Sequence, residues 1–366
     1  MKKIIINSII TIFLIGIGYF IGFSQNTPPP SPQEPHKKID RSKALQSWKD
    51  CDSCVRTQIL DYLDNITDPE SRDYVSPEDR IATFDMDGTF LMEKPFAVDV
   101  LILEYHIHKN MKDSISLNNE LDTFLSRVKS AGGMKEDDYK TLDSLKMRAF
   151  DKLPEDSIAE IAYKLMLEDV NDSFRFHGYR YVDVFYKPML ELFSELQKNE
   201  FKVFVVSGAD RTGLWGCIKA LKEKYPEYSL QLDRLNLIGS DWMLDAVGNT
   251  NNDPSYIFQL RDKVVRKGDT LITSIMMQKV INIYRHIGKP PIFSGGNTDG
   301  DFSMLNMAMG DSSAKHKAIL IWHDDDYREY KYNTDGEASK DWAETAKFYG
   351  WTLVSMKNDF KKIFLK

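Results

Sequence analysis

A short apolar segment that runs straight into closely spaced carboxylates constrains the fold of this chain more than any other feature. Residues 81–84 are apolar or β-branched, and the sequence Asp-Met-Asp-Gly-Thr follows at once at positions 85–89. A short, β-leaning segment of this kind is typical of a buried strand. The sequence therefore predicts a strand whose carboxyl end presents a loop of acidic groups.

Later parts of the chain repeat this arrangement. An apolar segment at 201–206 ends in Ser207 and Gly208, and another at 291–293 ends in a glycine-rich acidic loop at 294–301. Further strands are predicted at 235–238 and 318–322, helices at 187–198, 212–224 and 278–286, and β-hairpins within 241–273. Strands that alternate with helices predict an α/β fold with a doubly wound, parallel, Rossmann-like sheet. Ligands of such sheets bind at the carboxyl ends of the strands, so we expect the polar loops to form one site.

The interval between the first two core strands has a different pattern. Apolar residues recur there at helical spacing, and no strong strand pattern appears. The interval is too long for an ordinary crossover connection. We therefore expect an inserted helical cap domain at 96–181, placed on a catalytic core formed by residues 40–95 and 182–366.

The N-terminal segment predicts export. Two lysines precede an uncharged, apolar stretch at 4–23, which is typical of a secretory signal or of an N-terminal membrane anchor. We interpret residues 1–24 as one of these, with cleavage favoured, and residues 25–39 as an extended, proline-rich linker. The folded part is then periplasmic or anchored to the outer face of the inner membrane.

Charge and cysteine content narrow the possibilities further. A formal net charge of −7 disfavours a nucleic-acid partner, because binding to a phosphate backbone needs clustered cations. The chain has three cysteines, of which Cys51 and Cys54 form a C-x-x-C pair while Cys217 stands alone. In an exported protein a local disulfide is the favoured state of that pair, with free thiols as the alternative.

Asp85 and Asp87 are the residues that point most directly to chemistry. Two carboxylates this close at a strand end repel each other unless a hard divalent cation offsets their charge. With Mg²⁺ present, one carboxylate can attack phosphorus, and the other can protonate the leaving oxygen and then deprotonate a water. An ordinary acidic turn is the alternative interpretation.

Other polar residues near the strand ends could bind a phosphoryl group. Thr89 offers a hydroxyl and an N–H, and Ser207 offers a hydroxyl beside the N–H of Gly208. A cation is needed to neutralise the phosphoryl group, and Lys279 lies ahead of the last acidic loop. Its competitors for that role are Lys263, Lys267 and Lys289.

The loop at 294–301 could complete the oxygen shell of a metal ion through Asn297 and Asp301. Asp301 could instead cap the helix that follows. The next predicted strand ends in His323, followed by three aspartates at 324–326. We interpret that loop as a support for the site rather than as a second metal site.

These motifs resemble those of haloacid-dehalogenase superfamily phosphatases, which carry D-x-D-x-T, then Ser or Thr, then Lys, then an acidic G-D-x-x-x-D loop. The matching residues in this chain are Asp85 to Thr89, Ser207, Lys279 and Gly296 to Asp301. Stretches at 186–191, 285–288 and 322–330 resemble an exported bacterial subgroup similar to phosphoserine and phosphorylcholine phosphatases.

The resemblance implies specific roles for these residues. Asp85 becomes the nucleophile and a Mg²⁺ ligand, and Asp87 becomes the acid/base, with its backbone carbonyl on the metal. Many relatives carry Asp where this chain has Asn297, which offers an oxygen without a charge. The expected activity is hydrolysis of a small phosphate ester. The alternatives are a phosphotransferase or mutase, and a phosphate-binding homologue without turnover.

Overall fold

A computed structural model describes residues 38–172, 175–311, 313–332 and 341–366 of the chain. The predicted signal or anchor at 1–24 and nearly all of the proline-rich linker lie outside the described residues. In the described part of the chain, no helix is both long and apolar enough to cross a membrane.

A mixed sheet of seven strands forms the centre of the described residues. In chain order the strands are β1 (Ile81–Phe84), β2 (Lys202–Asp210), β3 (Leu237–Ala246), β4 (Val264–Ile272), β5 (Phe293–Gly296), β6 (Lys317–Trp322) and β7 (Thr352–Ser355). Their spatial order is β4-β3-β2-β1-β5-β6-β7. All neighbours are parallel except β3 and β4, which form an antiparallel hairpin. The predicted α/β fold with a doubly wound, mostly parallel sheet is therefore confirmed.

Helices cover the sheet and fill the interval between β1 and β2. They are α1 (Val55–Thr67), α2 (Val98–Asn110), α3 (Ile115–Ser130), α4 (Glu136–Phe150), α5 (Glu155–Met166), α6 (Lys187–Lys198), α7 (Arg211–Lys224), α8 (Met277–His286), α9 (Phe302–Met309), α10 (Trp342–Tyr349) and α11 (Met356–Asp359). Aromatic rings fill the space between sheet and helices. Phe84 of β1 packs against Phe193 of α6 and Phe293 of β5, with ring centroids 4.4 and 5.6 Å apart.

The end of β2 differs from the sequence prediction. Ser207 and Gly208 were expected to end this strand, but it continues to Asp210. The reason is that β3 offers backbone partners beyond that point, where Asp210 pairs with Ser240 after a shift in register. The tendency of a Ser-Gly pair to end a strand is weaker than the pairing that a neighbouring strand provides.

The helices α2 to α5 fall inside the interval expected for the cap. Residues 38–366 nevertheless pack as one compact unit, so the division into core and cap stays a prediction. Close contacts join the helical block to α7 and to β4. A Cβ atom on Gly216 of α7 would lie 2.2 Å from the carbonyl oxygen of Ala159, so α5 packs directly on its backbone. The link between α4 and α5 also pairs with β4, because Arg266 N–H donates to the Leu153 carbonyl at 3.0 Å.

The first described segment packs against the last one. Lys49 N–H donates to the Asp359 carbonyl, and Lys361 N–H donates to the Ser47 carbonyl, both at 2.7 Å. Trp48 lies fully buried between these bonds, with its ring 4.7 Å from that of Phe360. Next to this tie, Cys51 and Cys54 form the favoured disulfide. Cys217 is a buried free thiol.

Candidate active site

The carboxyl edge of the three central strands brings the predicted polar loops together. Phe84 pairs with Val205 of β2 on one side and with Gly295 of β5 on the other. Asp85, Ser207 and Asn297 follow these positions by one or two residues, so they emerge side by side at one edge of the sheet. The backbone N–H of Asp85 donates to the Gly295 carbonyl at 3.0 Å and fixes the start of the acidic loop.

Lys279 joins the two acidic loops. It projects from α8, is only 4% exposed, and donates to Asp85 Oδ1 at 2.6 Å and to Asp301 Oδ1 at 2.7 Å. Burial disfavours the charged form of this amine, but Asp301 and Asp85 outweigh that effect and raise its pKa. A permanently charged amine therefore lies beside Asp85.

Two of the competing lysines bind elsewhere. Lys289 pairs with Asp79 and Lys267 pairs with Asp245, both on more exposed surface. The structure thus places Lys279, and neither of those two, at the edge where the acidic loops meet.

Asp301 has both carboxylate oxygens engaged by the protein. Oδ1 accepts from Lys279, while Oδ2 accepts from the backbone N–H groups of Asn297 and Thr298 at 2.9 and 3.0 Å. The side chain therefore closes the loop at 297–301 and orients the lysine. Direct coordination of a metal ion by Asp301 stays a prediction.

Asp85 and Asp87 have different surroundings although one residue separates them. Burial raises the pKa of Asp85 to about 7, against the opposing effect of Lys279. Burial also raises the pKa of Asp87 well above its ordinary value, and the carboxylate of Asp85 raises it further. Asp87 Oδ1 accepts a hydrogen bond from Val98 N–H at 2.8 Å, which orients its carboxyl at the start of α2. The two carboxyl groups thus differ, because a lysine favours the charged form of Asp85 while burial and the neighbouring Asp85 raise the pKa of Asp87.

Thr89 is buried in the turn. Its hydroxyl donates to Asn297 Oδ1 at 3.3 Å, and its N–H donates to the Met86 carbonyl at 3.1 Å. Both groups that were expected to bind phosphate are therefore engaged by the protein, since the hydroxyl links the acidic loop to the loop at 297–301 and the N–H closes a turn within the acidic loop. Its role in binding a phosphoryl group stays a prediction.

Ser207 and Gly208 lie at the same edge. The Ser207 hydroxyl accepts from Ala209 N–H at 3.2 Å and is almost wholly buried. A Cβ atom on Gly208 would lie 2.9 Å from the side chain of Ile275, so that segment closes over the backbone here. Contact of these two residues with a substrate stays a prediction.

Glu93 is a site residue that sequence reasoning missed. Its Oε2 accepts from Asn297 Nδ2 at 3.2 Å, so the amide of Asn297 bridges Thr89 and Glu93. Gly88 makes this possible, because its φ is +74° and a Cβ atom there would lie 2.0 Å from Asn297 Nδ2. The one available signal was the position of Glu93 a few residues after the acidic loop, which is too weak to distinguish it from surface acids.

The oxygen groups at this edge fit a hard cation. Asp85 and Asp301 share the buried Lys279, and Asp87 and Glu93 add two further carboxyl groups to the loops at this edge. Among the described residues, no three His, Cys, Asp or Glu side chains converge on a point that could hold a metal ion. A cation here would therefore use the Asp87 carbonyl and the Asn297 amide oxygen in addition to the Asp85 carboxylate, and all of these are ligands that Mg²⁺ accepts.

The aspartates after His323 have structural partners. Asp324 accepts from the Ser355 hydroxyl and from Lys357 N–H, and Asp325 pairs with Arg328. Both residues therefore hold the end of β6 against neighbouring segments.

Comparisons with known proteins give matches among solved structures only. No protein-family model matches the sequence, and no curated protein matches it. A conserved protein of unknown function from Anaerococcus prevotii is 14% identical, and the match covers 74% of this chain and 86% of that one at a TM-score of 0.46. Cytosolic 5′-nucleotidase IIIB bound to cytidine is 11% identical over 85% of this chain and 88% of that one, at a TM-score of 0.44.

A HAD family hydrolase from Salmonella enterica serovar Typhi also matches. It is 13% identical over 66% of this chain and 62% of that one, with a TM-score of 0.33. The solved structures similar to this chain thus include a hydrolase of the family that the motifs resemble. Likenesses this distant give no information on a substrate.

Proposed function

We propose that this chain is a Mg²⁺-dependent phosphatase of the haloacid-dehalogenase type that hydrolyses phosphate monoesters of small molecules. The observation that carries the proposal is the buried bridge from Lys279 to both Asp85 and Asp301 at the carboxyl edge of the sheet. Phosphoryl transfer needs an anionic nucleophile, a cation beside it and a nearby acid, and these three groups meet here.

The first step would be attack by Asp85. Its carboxylate oxygen forms a bond to phosphorus, and the bond between phosphorus and the ester oxygen breaks. The leaving oxygen takes the proton of Asp87, whose pKa is raised by burial and by the carboxylate of Asp85, which favours the protonated acid. The products of this step are an alcohol and an aspartyl-phosphate on Asp85.

The second step would regenerate the enzyme. Asp87, now a carboxylate, takes a proton from a water molecule whose oxygen attacks phosphorus. The bond between phosphorus and Asp85 then breaks and releases inorganic phosphate. Lys279 would remain charged throughout and stabilise negative charge on Asp85 and on the phosphoryl oxygens.

Mg²⁺ would be held by the Asp85 carboxylate, the Asp87 backbone carbonyl and the Asn297 side chain. When bound, it would offset the charge of the phosphoryl group and of the attacking carboxylate. Because Asn297 brings no charge, we expect weaker metal binding than a third carboxylate would give.

The proposed location is outside the cytoplasm, either periplasmic or anchored to the outer face of the inner membrane. It rests on the apolar N-terminal sequence, and the disulfide between Cys51 and Cys54 fits an oxidising compartment. The proposed partner is a small phosphate ester, with membrane contact only through residues 1–24 if they are retained.

The decisive test is hydrolysis of p-nitrophenyl phosphate by the purified protein with Mg²⁺, with EDTA and as Asp85→Asn. We expect turnover that both EDTA and the substitution abolish. Asp137→Asn is a matched control, because that aspartate on α4 is 92% exposed and pairs with the exposed Lys140, so its loss should leave activity unchanged.

Three outcomes would contradict the proposal. Full activity of Asp85→Asn would exclude Asp85 as the nucleophile. Phosphate binding without turnover on a broad panel of phosphate esters would instead favour a non-catalytic homologue. Faster transfer to an added alcohol than to water would identify a phosphotransferase.

A further inference from the structure

A chain of buried polar side chains lies directly behind the acidic loop. The Tyr186 hydroxyl donates to Glu329 Oε1 at 2.9 Å, and Glu329 Oε2 lies 3.1 Å from Nδ1 of His323. None of the three side chains is measurably exposed. Since they are sealed from solvent, they cannot touch a substrate, and their effect must pass through the atoms they contact.

This row of hydrogen-bonded side chains ends on the backbone of the acidic loop. Nε2 of His323 lies 2.8 Å from the carbonyl oxygen of Gly88, and a carbonyl can only accept, so the imidazole N–H donates. Gly88 separates Asp87 from Thr89 and has a φ of +74°. The bond therefore fixes the Gly88–Thr89 peptide, which lies one residue beyond the acid/base residue.

Tyr332 also contacts His323 and lies beside Gly88. Its ring stacks on His323 with centroids 4.0 Å apart, and its hydroxyl lies 3.0 Å from Nε2. A Cβ atom on Gly88 would lie 2.6 Å from that hydroxyl. Gly88 is thus packed between His323, Tyr332 and Asn297, with no room for a side chain at this position.

Burying the side chains of Tyr186, Glu329 and His323 together has a cost in stability, so a role in orienting the acidic loop is the better explanation for them. Buried polar groups must give up hydration, and apolar packing of similar volume would often be at least as stable. A buried hydrogen-bonded network does orient the groups at its ends, as the partners of metal-binding histidines do.

We propose that His323, held by Glu329 and Tyr186, is a positioning residue that fixes the Gly88 carbonyl and thereby the direction of Asp87. The inference deepens the proposed phosphatase function and rests on it. His323 acts through the loop and takes no part in bond making or breaking.

Two substitutions at one position separate this role from simple packing. In His323→Gln the amide nitrogen can replace Nε2 and still donate to Gly88, whereas in His323→Asn it replaces Nδ1 and reaches only Glu329. We expect kcat for p-nitrophenyl phosphate to fall about 10- to 100-fold in His323→Asn. The Gln variant should keep most of the wild-type kcat, and KM should change little in either.

His316 provides the matched control. His316 directly precedes β6, whereas His323 directly follows it, so the two histidines lie at opposite ends of the strand. The Nδ1 atom of His316 lies 2.7 Å from the carbonyl oxygen of Ala308. His316→Asn should leave kcat unchanged, with any loss of stability visible in the melting temperature alone. Equal losses of kcat in the Asn and Gln variants of His323, or none in either, would overturn the proposal.

A second measurement does not depend on turnover. Gly88–Thr89 is the one Gly-Thr pair in the sequence, so protein labelled with carbonyl-¹³C glycine and ¹⁵N threonine gives a single correlation for this peptide. We expect that signal to move in His323→Asn and to stay in place in His316→Asn. An unmoved signal in His323→Asn would reject the contact even if the protein is active, and absent turnover with a moved signal would reject only the phosphatase function.

Discussion

Asp85 and Asp87 lie one residue apart, yet their surroundings suit them to different proton states. Asp85 faces Lys279, which favours its carboxylate, while Asp87 is buried beside that negative charge and accepts one backbone hydrogen bond. Such differences in environment can give two neighbouring carboxyl groups different pKa values and so suit them to different roles. At the scale of single residues, the lysine is what distinguishes the surroundings of one aspartate from those of its neighbour.

The raised pKa of Asp85 predicts that proton release accompanies Mg²⁺ binding. In the metal-free protein its pKa is about 7, so below that pH the carboxyl holds a proton that the metal must displace. The Mg²⁺ affinity should therefore rise by about tenfold per pH unit below pH 7 and level off above it. Titration calorimetry between pH 5.5 and 8.5 measures this.

Asp85→Asn is the control for that titration, because an amide has no proton to lose. Its Mg²⁺ affinity should be weaker and nearly independent of pH. Wild-type affinity that stays constant between pH 5.5 and 7 would show that Asp85 is not the group that the metal deprotonates.

Sequence patterns predicted the residues whose positions follow strand ends, and missed those fixed by tertiary contacts. Asp85 and Asn297 could be placed at one edge because parallel strands align their carboxyl ends. Glu93 and the link from His323 to Gly88 could not, because a contact between residues far apart in sequence leaves no local pattern.

At the scale of elements, the packing of α5 on α7 determines how the helical block meets the sheet. Gly216 of α7 faces the backbone of Ala159 and the methyl group of Ala162, where a Cβ atom would lie 2.7 Å away. Close approach of two helix backbones requires a residue without a side chain at the crossing point. A single glycine therefore sets the distance between α5 and the helix that follows β2.

Gly216→Ala should destabilise the protein by about 1 to 3 kcal/mol, although alanine is the better helix former. The reason is that the added methyl group meets a backbone carbonyl, which cannot move without shifting α5. Chemical denaturation of the variant, compared with the wild type, gives the change in the free energy of unfolding.

Gly213→Ala in the same helix is the matched control. Its added methyl group would meet the flexible end of the Ile102 side chain at 2.9 Å, which can change rotamer. We expect a change within about 1 kcal/mol in either direction. If both substitutions had the same effect, the close crossing at Gly216 would not be the cause.

Helix and strand positions were predictable where local pattern and tertiary pairing agree. The predicted helix at 187–198 matches α6, because Pro188 lies in its first turn and its apolar face is regular. The predicted strand at 235–238 begins later and runs much further, since β4 pairs with its second half as an antiparallel partner. That extension depends on the hairpin rather than on the apolar residues alone.

At the scale of the whole molecule, the segment around Trp48 joins the first described residues to α6 and to the C-terminal segment. Its indole N–H donates to the Pro188 carbonyl at 2.9 Å, and its ring packs on Phe360. Trp48→Ala should therefore lower the free energy of unfolding by about 3 to 5 kcal/mol. Phe348→Ala is the control, since that ring is 81% exposed and its loss should change stability little.

Thermal and chemical unfolding of these two variants test the role of the Trp48 segment. Similar melting temperatures for Trp48→Ala and the wild type would mean that the segment packs onto a fold that is already complete without it.

The hydrogen bonds between residues 47–49 and 359–361 join segments that a ribosome makes early and late. The contact between Trp48 and Phe360 can form only after residue 360 has been synthesised. In the same way, β1 can pair with β5 only after β5 has been synthesised. The growing chain therefore keeps its central strand half paired through most of synthesis. Folding that is completed this late would keep the polypeptide unfolded for longer. An unfolded chain is what passage through a membrane channel would require.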